Sequence, residues 1–125
     1  MDYDALCAYL DGKLDAHRDM PFGEDTLVFK VMGKMFALVA WQAEPLTISL
    51  KADPVDAVIL RKQYPGVKPG YYMNKKHWNT VTLDERIPDA EVWRMIDESY
   101  RLVVKGLNKA QKERLRLLGW HDDEA

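Results

Sequence analysis

The sequence predicts an α+β domain, helices packed on a mainly antiparallel sheet, in the compact layered order α-β(3)-α-β(1-2)-α. Two observations carry that prediction. Apolar residues recur at helical spacing near the N-terminus and again from Trp93 to Leu107, and between them lie runs of β-formers punctuated by Gly and Pro. A chain of 125 residues is long enough to enclose one core and short for two. We therefore expect one domain over residues 1–119, followed by a loose acidic tail over 120–125.

Tyr3, Leu6, Cys7, Leu10 and Leu14 mark a first amphipathic helix, with Asp2 or Asp4 placed to favour the positive end of its dipole. Cys7 falls on the apolar side, as a small core residue would. Arg18 to Asp25, with Pro21 and Gly23, reads as a loop. Thr26 to Val31 and Phe36 to Trp41 are dense in β-formers around Gly33-Lys34, which makes them a hairpin. Leu46, Ile48 and Leu50 then alternate with Thr47, Ser49 and Lys51, the pattern of a third strand with one face buried and one wet. Asp53-Pro54 supplies an N-cap and a first-turn proline for a second helix reaching Gln63, with Val55, Val58 and Ile59 as its packing stripe.

Pro65-Gly66 stops that helix and Pro69-Gly70 pins a loop. Tyr71 to Met73 offers a short strand, and strand character is clear from His77 to Leu83, with Trp78 and Thr80 on one face. Ile87-Pro88-Asp89 opens the longest helix, whose Trp93, Ile96, Tyr100, Val103 and Leu107 form a continuous apolar face. Gly106 and Asn108 weaken it. A basic terminal helix from Ala110 to Leu118 follows, anchored by Leu115 and Leu118.

Composition narrows the function classes. With 47% hydrophobic and 30% charged residues the chain is globular, and its single cysteine permits no internal disulfide. The longest apolar run, Met35 to Trp41, is too short to span a bilayer, and the acidic start is unlike a signal peptide, so a cytoplasmic protein without membrane contact is expected. The net charge of -2 conceals separated blocks. Acids dominate Met1 to Asp25; no acid occurs between Ala57 and Leu83, where Arg61, Lys62, Lys68, Lys75 and Lys76 stand among Tyr64, Tyr71, Tyr72 and Trp78; Arg101 to Arg116 forms a second basic segment.

The run G-Y-Y-M-N-K-K-H-W-N-T-V from Gly70 to Val81 resembles the signature of the MmcQ/YjbR family of small bacterial proteins. P-F-G-E-D-T-L-V-F-K-V-M-G-K-M-F-A-L from Pro21 to Leu38, I-S-L-K-A-D-P from Ile48 to Pro54 and I-D-E-S-Y-R-L-V-V from Ile96 to Val104 fit the same family in the same order. The resemblance implies an α-β(3)-α-β(2)-α domain and DNA binding through a double-wing motif. The implied fold is also similar to that of small secretion chaperones, which take partner segments on a sheet face.

His17, His77 and His121 have no short ligand spacing, so no metal site is read and no cofactor signature is present. A catalytic reading would rest on Asn74, Lys75 and His77, joined by Tyr71 or Tyr72, with no local carboxylate to orient the imidazole. For nucleic acid, Lys68, Lys75 and Lys76 are suited to phosphate, while Tyr72, Asn74, His77 and Asn79 are suited to stacking or polar contacts beside them. Non-enzymatic DNA binding is therefore the leading expectation, and a protein-interaction module is the alternative.

Overall fold

A computed structural model describes residues 1–70 and 73–121. Its elements are α1 (Tyr3–Asp11), β1 (Ala16–Asp19), β2 (Leu27–Val31), β3 (Lys34–Ala40), β4 (Thr47–Lys51), α2 (Pro54–Gln63), β5 (Val67–Pro69), β6 (Trp78–Thr82), α3 (Asp89–Lys105) and α4 (Lys109–Leu117). The strands form one open antiparallel sheet in the order β1-β2-β3-β4-β6-β5. The α+β layering expected from the sequence is the one observed. Among the described residues, no helix is long and apolar enough to cross a membrane.

Two strands exceed the sequence expectation, and both are edges. β1 lies at the start of the segment read as a loop; its Ala-His-Arg-Asp sequence has no β-former, yet Ala16 pairs with Val31 and Asp19 with Val28. The neighbouring strand, not local propensity, makes it extended. β5 sits between the two Pro-Gly pairs and places Val67 opposite Val81 before Pro69 ends it. The strand suggested at Tyr71 to Met73 lies mostly outside the described residues.

Three of the four helix starts have a side-chain cap; α3 begins after Pro88 without one. Asp2 accepts the Ala5 N–H at 2.7 Å, and Asp53 accepts the Val55 N–H at 3.0 Å with Pro54 in the first turn. Asn108 and Gln111 form a reciprocal capping box at 2.8 and 3.1 Å, so the expected weak point between Gly106 and Asn108 is a true break between α3 and α4.

Two packing expectations are corrected. Ala57 and Leu60 are the buried residues of α2, whereas Val55, Val58 and Ile59 are 67%, 44% and 52% exposed. Hydrogen bonds from Arg61 and to the Ala57 carbonyl turn the slender side of that helix toward β6. At the C-terminus Leu118 is exposed and Trp120, assigned to the tail, is buried. Gly119 takes a φ of 116°, which reverses the chain so that the Trp120 N–H reaches the Leu115 carbonyl at 3.0 Å and its ring lies 5.8 Å from Tyr100.

All four helices contribute buried residues to one core against the inner sheet face, where Phe29, Val39, Ile48 and Val81 meet Leu6, Leu10, Leu60, Ile96, Tyr100 and Leu115. A bulge sets which β3 side chains face outward. Phe29 pairs with Ala37 but Lys30 with Met35, which leaves Phe36 as the extra residue. Phe36 and Ala37 are consequently both buried, and Met35 and Leu38 pass to the other face. The fully buried Ser99 of α3 donates to the Phe36 carbonyl at 2.6 Å and accepts the Lys51 N–H at 2.9 Å, tying the bulge to β4.

Candidate binding groove on the open sheet face

Strand alternation puts half the side chains of β3, β4 and β6 on the face away from the helices. Met35, Leu38 and Ala40, then Thr47 and Ser49, then Trp78 and Thr80 form the floor of a groove of about 780 Å³. Phe22 and Thr26 wall it from the β1–β2 loop; Lys68, Pro69, Gly70, Met73 and Asn74 wall it at the β5 end. At about 4.8 Å between strands, crossing four of them gives a length of about 14 Å. The Ser49 and Thr80 hydroxyls satisfy one another at 2.9 Å, leaving the floor largely apolar. Lys68 is the one charged residue among the described lining.

Gly70 sets the wall against the floor. Its N–H donates to the Trp78 carbonyl at 2.8 Å, and a Cβ there would stand 3.0 Å from Trp78 Cβ and 3.2 Å from that same carbonyl oxygen. Only glycine allows so close an approach without displacement of one strand or the other.

The basic loop beyond Gly70 is held from below. Asn74 Oδ1 accepts the Lys76 N–H at 3.0 Å in an Asx turn. Arg61 of α2 donates to Asn79 Oδ1 at 2.7 Å, to the Lys75 carbonyl and, more loosely, to the Trp78 carbonyl at 3.4 Å. Asn79 Nδ2 donates to the Ala57 carbonyl at 3.3 Å.

The residues singled out by sequence therefore separate. Lys68 and Asn74 line the groove. Lys75 and Lys76 are exposed beside it and His77 is half-buried, and none of these three is a lining residue. Asn79, 3% exposed, is corrected from a surface contact to an internal bridge, because strand alternation aims it at α2. Arg61, counted with the surface cations, is the clamp of the loop. Tyr72 lies outside the described residues. Phe22, Met35 and Leu38 are not legible as groove residues; the outward alternation of Thr47 with Ser49 and the shared face of Trp78 and Thr80 are the sequence signals that point to their face.

Among the described residues no titratable pair converges in the groove. Burial pushes the Cys7 thiol up, and it lies in the core instead. Burial, then a 2.6 Å bond to Asp97, raises the Tyr9 phenol; Lys13 also pairs with Asp97, and Tyr9 stacks on Trp93 at 4.3 Å, so this cluster fastens α1 to α3. Among the described residues no group of three His, Cys, Asp or Glu side chains is placed to hold a metal ion.

One helical layer, an open antiparallel sheet and a groove rimmed by a glycine-pinned basic loop define a small α+β protein with an accessible sheet face. The chain belongs to the YjbR family, whose model matches residues 12–102. It is 43% identical over 96 residues to the uncharacterized protein YbdF of Escherichia coli O157:H7, covering 77% of this chain and 79% of that one. It is 32% identical to the uncharacterized protein YjbR of Escherichia coli K12, covering 94% and 98% of the two chains. The crystal structure of Deinococcus radiodurans protein DR2400 superposes with a TM-score of 0.85 at 40% identity, over 95% of this chain and 88% of that one. A Pseudomonas syringae protein structure superposes with a TM-score of 0.70 at 30% identity, over 82% and 98%.

Proposed function

We propose that this protein is a binding module that takes a small apolar ligand with an anionic end into the sheet-face groove. The groove itself supports the reading: its volume of about 780 Å³ lies in the range of small-ligand sites, its lining is mainly apolar, and Lys68 supplies a cation at one end. A folded protein partner usually needs about 800 Å² on each side, more than a walled groove of about 14 Å offers.

Calorimetric titration with decanoate and with decanol tests the proposal. Decanoate should bind one-to-one, with about three- to fivefold weaker affinity in Lys68→Ala, whereas decanol should be indifferent to that change. Ser49→Trp, which fills the groove, should abolish both. Absence of saturable binding, or wild-type affinity in Ser49→Trp, overturns the reading.

A second reading, DNA binding, has its own observation: Lys75 and Lys76 are exposed on a loop that Arg61 holds in place, with Lys68 also exposed on β5. Fluorescence anisotropy of single- and double-stranded DNA across a salt series should show saturable binding whose salt slope shrinks in Lys75→Ala/Lys76→Ala. No binding at low salt removes this reading and leaves the groove proposal intact.

A further inference from the structure

We infer that the cleft between α3 and α4 is a second site, one that binds a compact multivalent phosphate such as a di- or triphosphate group. The cleft encloses about 310 Å³. Arg101 and Lys105 of α3 and Lys112 and Arg116 of α4 surround it, above Val104 and Trp120. The capping box at Asn108 and the Trp120 anchor fix α4 against α3, so the cations are gathered before any ligand arrives.

The charge balance of the cleft favours an anion. Among the described residues no carboxylate lines it. Glu98 pairs with Arg101 at 2.6 Å and Glu113 with Arg116 at 3.4 Å, each from three residues back on its own helix. Asp56 acts on Arg101 at longer range. Lys105 and Lys112 have no ion pair among the described residues. The Arg101 guanidinium, held by Glu98, still has N–H donors to offer a phosphate.

Helix stabilisation accounts for only part of this arrangement. Lys105 lies in the last turn of α3, where a cation suits the helix dipole. Lys109 and Lys112 instead stand near the start of α4, whose first turn has no acidic residue. There the dipole already favours negative charge, and the lysines add to that preference. A short recess between two helices matches a compact oxyanion better than an extended nucleic-acid backbone.

The test is calorimetric titration of the full chain with sodium tripolyphosphate and, separately, adenosine triphosphate at physiological ionic strength. Both should bind one-to-one; equal affinities identify the phosphate group as the whole determinant, and tighter nucleotide binding adds a contact to the nucleoside. Lys105→Ala/Lys112→Ala should weaken tripolyphosphate at least about tenfold, from two charge-assisted contacts. Lys105→Arg/Lys112→Arg should retain binding, Lys75→Ala/Lys76→Ala should leave it unchanged, and a thermal melt checks that each variant folds. Decanoate binding in the groove should be the same in every one of these variants, so the two sites fail separately. Absence of saturation, equal loss in both alanine variants, or cleft-dependent binding of an oligonucleotide without tripolyphosphate overturns the inference.

Discussion

The Ser99 hydroxyl is fully buried between two strands, giving one hydrogen bond to the Phe36 carbonyl and receiving one from the Lys51 N–H. Ser99→Ala strips both backbone groups of their partner at once. The expected cost is about 1–3 kcal/mol, read as a lower urea midpoint with an unchanged m-value. Arg61 has a comparable place under the basic loop, where its planar fork reaches three acceptors. Arg61→Ala should therefore accelerate amide exchange from Lys75 to Trp78, and Arg61→Lys should not restore protection, since a lysine ammonium cannot reproduce the fork. Unchanged exchange would show that the loop is held by other contacts. The Arg61–Asn79 bridge is not legible from the string, because the two residues meet only when a helix end and a strand 18 residues later close on one another.

At the scale of elements, legibility tracks periodicity. The hairpin, the alternating third strand and the long α3 helix are readable because each repeats a pattern that its own burial enforces. β1 and β5 are invisible because a partner strand imposes their conformation, and the exposed stripe of α2 misleads because size alone does not say which side of a helix a neighbour will hold. The β3 bulge is likewise hidden: two consecutive buried residues at Phe36 and Ala37 break the period of two that strand reading assumes. The groove inherits that bulge, since it is what turns Met35 and Leu38 outward together. Gly70→Ala should push the loop from Trp78, costing about 1–3 kcal/mol and weakening any groove ligand, with Tm and titration as the two readouts.

For the whole molecule, charge determines how stability responds to pH. Hydrogen bonds from Lys30, Arg86 and Arg94 hold the Asp19, Asp84 and Glu91 carboxyls below their ordinary range. Their contribution is present above the unfolded-state values near pH 4 and is lost as pH falls through the lower folded ones. Burial raises the Tyr3 phenol, the Cys7 thiol and the Tyr9 phenol, so the folded chain keeps protons that the unfolded chain releases above about pH 9. Tm should thus fall on both sides of a neutral plateau, and Tyr9→Phe should reduce the alkaline fall. A level Tm between about pH 9 and 11 would contradict the assignment.

The two edge strands described above have a further consequence at high concentration. Pro69 has no N–H to offer another chain, and β1 exposes His17, Arg18 and Asp19 along its rim. An open sheet of six strands is thereby denied the edge-to-edge stacking by which such sheets grow into fibrils. The groove can remain bare and apolar in a crowded solution because the rims, not the face, are what keep one molecule from extending the next.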